Sequence, residues 1–184
     1  PYDPQKAKQL LTEARKDGVP VDKEILLVGR MAHYPGSNEL MEALLTMYKA
    51  VGFNVKLKIG ERLAIEFYRR KPYVTNAGPF IMVKQHNNAY GDAAFTAFGN
   101  YHCKGDGSST CDKKLDDMIE KAEVATGEER KTLWQAIFKR IHEEIISEVF
   151  LFHMVAYARV GKRINFKPSI ATNGEIPLEQ MTFK

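Results

Sequence analysis

The stretch EILLVGRMAHYPGSNELMEALLTMYKAVGFNVKLKIG, residues 24–60, decides the fold class of this 184-residue chain. Its first residues, 24–29, form a short aliphatic run ending in glycine, which is typical of a buried strand. Ser37 is expected to cap a helix. The apolar stripe of that helix consists of Leu40, Leu44, Met47 and Tyr48. Residues 53–60 alternate apolar and polar side chains like a half-buried strand, so the stretch predicts a strand–helix–strand unit with a right-handed crossover.

The sequence on either side extends this α/β pattern. Asp3 and Pro4 supply a capping oxygen and a ring with a helical φ, so they predict the start of a helix that ends at Gly18. Residues 60–70 are expected to be helical, and residues 79–84 to form another strand. The fold class predicted for this half of the chain is therefore α/β.

Helices dominate the predicted structure after residue 112. One is expected over residues 113–124, and a second begins at the capping box Thr126-Gly127-Glu128-Glu129. Residues 149–160 are dense in β-formers and predict one or two strands. The remaining tail has little helical character.

Composition argues against two classes of protein. No apolar run approaches the roughly 20 residues that span a bilayer. The net charge of +4 comes from 27 basic and 23 acidic residues spread along the chain, without the basic patch and interleaved aromatics of a nucleic-acid binder. A solvated surface explains the charge, and neither a membrane-spanning protein nor a nucleic-acid partner is predicted.

The segment KQHNNAYGDAAFTAFGNYHCKGDGSSTC, residues 84–111, contains amides, small residues and aromatics but almost no aliphatic side chains. Because no aliphatic stripe recurs at helical spacing, we expect no core helix here. The segment follows the strand predicted over residues 79–84. Loops beyond the carboxyl ends of strands in α/β sheets commonly contact ligands, so this loop is a candidate binding surface.

The two cysteines, Cys103 and Cys111, lie eight positions apart in the loop CKGDGSSTC. A disulfide is the favoured interpretation, and it indicates an oxidising compartment. Two unpaired thiols are one alternative. A metal site using the neighbouring His102 and Asp112 is another, although one short loop is a weak source of four ligands.

Five stretches, taken in order, resemble the C-terminal part of bacterial extracytoplasmic solute-binding proteins of the peptide/nickel ABC importer class, family 5. They are PYDPQKAKQLL, MYKAVGFNVKLK, CDKKLDDMIEKA, EERKTLWQAIFKRIHEE and VFLFHMVAYARVGKRINFKP. The resemblance covers essentially the whole chain. It implies a periplasmic-binding-protein-like lobe with a central mixed sheet flanked by helices. Residues 1–154 would form this second lobe, and residues 155–184 a segment returning towards an N-terminal lobe.

The resemblance also implies a function. Proteins of this class bind a small solute between two lobes, catalyse no reaction and deliver the solute to ABC permease subunits in the membrane. We accordingly expect a monomer without cofactor or resident metal, located in the periplasm or otherwise outside the cytoplasm. The resemblance also implies a signal peptide and a membrane attachment at the start of the N-terminal lobe that would precede these residues.

A candidate site is implied by HNNAYGDAAF, residues 86–95, which is similar to the family pattern WGNDxGDxxxF. His86 stands where the family usually has tryptophan. Ala89 stands where peptide binders have the aspartate that pairs with a ligand's amino terminus. Because alanine cannot offset the desolvation of a buried ammonium, a peptide-like ligand with a blocked terminus, an opine-like compound or a sugar-containing solute is expected instead of a free peptide.

Two groups of side chains are the predicted substrate-binding residues. The first, which follows the strand over residues 79–84, consists of His86, Asn87, Asn88, Tyr90 and Asp92. The second follows the first strand and consists of Arg30 and Tyr34, where the arginine could clamp an anionic group. A strand-end cap for His86, a turn acceptor for Asp92 and a surface salt bridge for Arg30 are the structural alternatives. A hydrolase using His86, Asp92 and a serine is the alternative function.

Overall fold

A computed structural model describes residues 2–73, 78–88, 90–155, 157–168 and 177–184 of the chain. The chain divides into two compact units, Pro1–Gln85 and His86–Lys184. In the described ranges, no helix has the length and apolar character needed to cross a membrane. The assignment of residues 1–154 to one lobe and of residues 155–184 to a return segment stays a prediction.

The first unit is an α/β layer built on a parallel sheet. Its elements in chain order are α1 Pro4–Lys16, β1 Ile25–Arg30, α2 Ser37–Val51, β2 Val55–Gly60, α3 Arg62–Arg69 and β3 Phe80–Met82. The strand order is β2-β1-β3, and both pairings of β1 are parallel. The predicted α/β class, the strand–helix–strand unit and the first helix with its Asp3 cap are confirmed.

Alternating side chains of β1 place a helix on each face of the sheet. Leu27 is fully buried and packs with Met41 of α2 on one face. Val28 is also fully buried and packs with Ile65 and Tyr68 of α3 on the other face. Successive side chains of a strand point to opposite faces, so the central strand is covered on both sides.

Ser37 does not cap α2 as the sequence analysis expected. The residue at the cap position is Gly36, with a φ of 81°, and Ser37 is the first residue of the helix. The Ser37 hydroxyl instead accepts hydrogen bonds from the backbone N–H groups of His33 and Tyr34, at 3.1 and 3.5 Å. Its oxygen therefore orders the preceding loop, and the helix start relies on glycine's tolerance of positive φ.

The second unit is mainly helical. Its elements are α4 Ala93–Tyr101, α5 Lys113–Val124, α6 Gly127–Arg140, a π-helix Ile141–Ile145, β4 Ile164–Asn165, a short 3₁₀ helix Leu178–Gln180 and β5 Thr182–Phe183. The short strands β4 and β5 pair antiparallel in a sheet of their own. The core residues are Ala97, Tyr101, Leu115, Ile119, Ala122, Trp134, Ile137 and Ile141. The two predicted helices after residue 112 are confirmed, but the Thr126 side chain makes no capping hydrogen bond at the start of α6, so the predicted capping box is not formed.

The expectation that residues 84–111 contain no core helix was wrong. Residues 93–101 form α4, and its Ala97 and Tyr101 are almost completely buried in the core of the second unit. Ala93, Ala97 and Tyr101 recur every four residues, so they form one stripe. A search for aliphatic side chains misses this stripe because alanine and tyrosine supply it.

The strands predicted over residues 149–160 are also absent from the described residues of that range, 149–155 and 157–160. Their apolar side chains lie in solvent, and Tyr157 is 94% exposed. A β-forming sequence needs a neighbouring strand to complete its hydrogen bonds. No pairing partner is present for it among the described residues of the chain.

The predicted disulfide between Cys103 and Cys111 is confirmed, with the two Cα atoms 4.4 Å apart. It closes the loop that connects α4 to α5. The loop is also fixed by the backbone N–H of Cys103, which donates to the Asp116 carboxylate of α5 at 2.9 Å. The disulfide therefore closes the loop on itself, and the hydrogen bond to Asp116 holds the loop against the helical core.

Replacing both cysteines by serine should lower the free energy of unfolding by about 2–3 kcal/mol, because a loop of this length loses that much closure entropy when cross-linked. Urea denaturation followed by the fluorescence of Trp134, the single tryptophan, measures the change. A reductant should destabilise the natural chain by a similar amount and leave the double serine variant unchanged. Equal denaturation midpoints for the natural chain with and without reductant would contradict the prediction.

Candidate ligand-binding site

The loop after β1 is held in a defined conformation by the start of α2. The backbone N–H of Ala32 donates to the Asn38 side-chain oxygen at 3.2 Å, and Ala32 has a positive φ of 46°. Ser37 accepts from the next two N–H groups, as described above. A non-glycine residue at positive φ costs conformational energy, so these bonds to α2 are what maintain the turn. They place the rings of His33 and Tyr34 side by side, 5.5 Å apart.

A cavity of about 230 Å³ lies beside this loop, at the carboxyl ends of β1 and β3. Its lining residues are Arg30, His33, Arg62, Ile65, Glu66, Arg69, Met82, Val83, Lys84 and Gln85. We call it the cationic cavity, since its lining, as far as the structure describes the chain, contains four cationic side chains and one carboxylate. Arg30, predicted from sequence, lines it. Tyr34, also predicted, lines a smaller crevice next to it together with Arg30 and His33.

One face of α3 supplies much of the cationic cavity. Arg62, Glu66 and Arg69 recur at helical spacing around Ile65, which is almost completely buried. Glu66 accepts two hydrogen bonds from Arg69, at 2.7 and 3.2 Å, and these bonds lower the pKa of Glu66. The sequence analysis missed this face, although the i, i+4, i+7 spacing of Arg62, Glu66 and Arg69 was there to be read.

The pKa of His33 reflects the positive electrostatic potential of the cavity. Partial burial lowers the pKa of His33 first, and the positive charges of Arg30 and Arg69 lower it further. A cation is therefore disfavoured at this position, both by desolvation and by its neighbours. The same potential favours an anion.

The second predicted group of residues begins the other unit. His86 stacks on Phe95 with ring centroids 5.8 Å apart, and Tyr90 packs edge-on against the same ring at 4.8 Å. Nε2 of His86 also lies 2.9 Å from the Thr96 hydroxyl. Asn87 and Asn88 are exposed. The structure thus joins His86 and Tyr90 through Phe95 of α4, the last residue of the stretch that is similar to the family pattern, although Phe95 was not among the predicted substrate-binding residues.

Asp92 is engaged by protein donors on both carboxylate oxygens. It accepts the backbone N–H of Ala94 at 2.8 Å, capping α4, and both oxygens accept from Arg130 at 2.7 and 2.8 Å. These contacts hold the pKa of Asp92 below its usual value, the Ala94 hydrogen bond contributing most. Arg130, which sequence reasoning missed, lies 38 residues away in α6.

The geometry of these groups does not support the alternative hydrolase. Asp92 is bound to an arginine and a helix N-terminus, and the His86 ring nitrogen faces a threonine hydroxyl. Ala89, where peptide binders have an aspartate, lies outside the described residues. Among the residues that the structure does describe, no cluster of three or more His, Cys, Asp or Glu side chains could hold a metal ion.

Comparison with known proteins identifies similar folds. No family model and no curated protein matches the chain. An ABC transporter substrate-binding protein from Sinorhizobium meliloti matches with a TM-score of 0.61 and 17% sequence identity, covering 99% of this chain and 37% of that one. NikZ from Campylobacter jejuni, solved in complex with Ni(L-His), matches with a TM-score of 0.54 and 21% identity, covering 77% of this chain and 30% of that one.

The chain thus spans about a third of the length of the solved structures that it matches. At these identities the likeness concerns the fold, and it agrees with the periplasmic-binding-protein-like architecture expected from the five sequence stretches. The chain therefore has the fold of part of an ABC transporter substrate-binding protein.

Proposed function

We propose that this chain belongs to the substrate-binding component of an ABC importer, which captures a small polar solute between two lobes and delivers it to the membrane permease. The observation that carries the proposal is the cavity at the carboxyl ends of parallel strands, on a fold shared with a substrate-binding protein. Ligands of open α/β sheets bind at this edge. The solved neighbour NikZ was itself obtained with a bound small complex, Ni(L-His).

The exposed groups of residues 86–92 support a polar solute. Asn87 and Asn88 offer amide donors and acceptors, and the Tyr90 ring, 77% exposed, offers a stacking face. Asp92 would serve by fixing the start of α4, since its oxygens are already hydrogen-bonded. With alanine at position 89, a blocked peptide-like, opine-like or sugar-containing solute fits better than a free peptide.

Calorimetric titration of the complete gene product with a panel of such solutes tests the proposal. We expect saturable binding without turnover. The Asn87→Ala and Asn88→Ala substitutions should each weaken binding roughly five- to tenfold, the value of one hydrogen bond. Gln135→Ala, which removes an exposed amide of α6, is the matched control and should bind normally.

Three results would contradict this proposal in different ways. The absence of saturable binding across the panel would exclude the transport role. Tight, sequence-tolerant binding of free di- and tripeptides would exclude the proposed class of solute. Turnover of an ester or amide that is lost in Asp92→Asn would favour the hydrolase.

We also infer a location outside the cytoplasm, a permease partner and a monomeric state. The disulfide between Cys103 and Cys111 supports the location, because such bonds persist in oxidising compartments. The expected membrane attachment is part of this proposal. Fractionation of the producing cells and size-exclusion chromatography with light scattering would measure location and oligomeric state.

A further inference from the structure

We propose that the cationic cavity binds an oxyanion group, a carboxylate or a phosphate, of the transported solute. This inference deepens the proposed function, on which it rests, by assigning a charge to the solute. It depends on the charge balance, the shape and the hydrogen-bonding capacity of one small region of the first unit.

The charge balance comes from three separate elements. Arg30 ends β1, Arg62 and Arg69 lie on α3, and Lys84 follows β3. Among the described lining residues Glu66 is the one carboxylate, and Arg69 already pairs with it. Within the described part of the chain, Arg30 and Arg62 make no ion pair with a carboxylate. The cavity therefore keeps a net positive charge that a bound anion would offset.

The arginines suit oxyanions in particular. A guanidinium presents a planar fork of N–H donors that matches two oxygens of a carboxylate or phosphate, whereas a surface lysine acts as a point charge. Two such forks, from Arg30 and Arg62, line the same cavity from β1 and α3. Arginines on a merely solvated surface would be expected to point apart into water, whereas these two line one concave space.

The shape limits the size of the ligand group. A volume of about 230 Å³ is below the 300–1,000 Å³ of typical small-molecule sites, so it suits one charged group and the atoms next to it. Ile65, Met82 and Val83 add apolar surface to the lining. A concave space of this kind favours the end of an organic anion over an extended polyanion such as a nucleic acid.

His33 provides a spectroscopic reporter beside the arginines. Its neighbours in the cavity are Arg30 from β1, Arg62, Glu66 and Arg69 from α3, and Lys84 after β3. Because Arg30 and Arg69 now lower the pKa of His33, an anion bound among them should raise it. His33 is one of five histidines, and its NMR signal is identified by its loss in His33→Asn.

The experiment follows the His33 titration by NMR while inorganic phosphate or succinate is added at constant ionic strength, with chloride as the reference anion. We expect phosphate or succinate, but not chloride, to raise the pKa of His33 in a saturable manner. Arg30→Gln and Arg62→Gln should each weaken the probe about 10- to 100-fold, the value of a charge-assisted hydrogen bond. The matched control is Arg15→Gln, which removes an exposed arginine of the same unit and should leave probe binding unchanged.

The two probes distinguish a carboxylate-bearing solute from a phosphate-bearing one. Equal responses to phosphate, succinate and chloride would overturn the inference, as would tighter binding of a DNA duplex than of phosphate. So would calorimetry in which an uncharged solute binds the complete gene product equally well with and without Arg30→Gln. If the probes bind at His33 but no solute of the panel binds saturably, the anion site stands and the transport role fails.

Discussion

Replacing Arg130 by alanine is expected to lower the free energy of unfolding of the second unit by about 2–3 kcal/mol, the value of a set of charge-assisted hydrogen bonds. Arg130 connects three elements. It donates to both oxygens of Asp92 before α4, and to the backbone oxygens of Ala122 and Glu123 in the last turn of α5, at 2.8 and 3.0 Å. Its guanidinium also lies over the Trp134 ring, 5.4 Å from the centroid.

The loss of Arg130 has two separate costs. The carbonyls of Ala122 and Glu123 lose a donor at a helix end, where the helix itself supplies none. Asp92 loses its charge partner but keeps the Ala94 N–H. The Arg130 side chain is 24% exposed and that of Asp92 49%, so water compensates part of the lost ion pair, and the expected effect stays below that of a fully buried pair.

Urea denaturation followed by Trp134 fluorescence measures this effect, since the single tryptophan lies in the same core. Lys131→Ala is the matched control. Lys131 is the next residue of α6, carries the same charge and forms an exposed ion pair with Glu128 at 3.3 Å, so its removal should change the free energy of unfolding by less than about 0.5 kcal/mol. Equal midpoints for Arg130→Ala and Lys131→Ala would show that the contacts of Arg130 contribute little.

The difference between the natural chain and Arg130→Ala should also depend on pH. The folded state holds the pKa of Asp92 below that of the unfolded chain, so the ionised carboxylate stabilises folding above the unfolded pKa, about 4. This contribution is lost as the pH falls through the lower, folded pKa. We therefore expect the difference between the two midpoints to become smaller in strong acid but not to vanish, because the carbonyl contacts of Arg130 do not titrate. A difference independent of pH would assign the whole effect to these carbonyl contacts.

The contacts of Arg130 show where sequence reasoning ends. The strand–helix–strand unit over residues 24–60 could be predicted because its apolar periodicity is local and strong. The pairing of Asp92 with Arg130 joins residues 38 positions apart. The sequence around either residue contains no pattern that predicts this pairing. A charged residue in a helix has the same local pattern whether it lies in solvent or connects three elements.

Two errors in secondary structure have physical causes of the same kind. Helix α4 buries alanine and tyrosine, so a search for aliphatic side chains did not detect its core-facing stripe. Residues 149–160 have strong β propensity, but propensity describes fitness for a sheet and cannot supply the neighbouring strand. Tertiary context decided both cases. Helix α4 has a core to pack against, whereas residues 149–160 have no pairing strand among the described residues.

The candidate site was predictable in part. Arg30 and Tyr34 were identified from their position after the first strand, and both line concave surface there. His33 was overlooked because a lone histidine in a loop carries no pattern. The arginines of α3 were not identified because the overall positive charge was attributed to a solvated surface, and only the fold brings them to the same cavity as Arg30.

Replacing Gly105 by alanine should destabilise the second unit by about 3 kcal/mol, the upper range for forcing a methyl group into a packed region. Gly105 lies in the disulfide-closed loop, which folds back over the carboxyl end of α4. A Cβ atom at this position would lie 2.7 Å from the Gly99 carbonyl oxygen and closer still to that of Phe98. Both obstacles are backbone atoms of a helix, so no side-chain rotation can relieve the clash.

Gly99→Ala is the matched control for this substitution, because the added methyl group is of the same size in the same part of the molecule. A Cβ on Gly99 meets nothing within 4 Å, and Gly99 lies within α4, where alanine is favoured over glycine by about 0.5–1 kcal/mol. Urea denaturation should therefore show opposite shifts for the two variants. If Gly105→Ala unfolded at the same urea concentration as the natural chain, the loop could not lie as close to α4 as described.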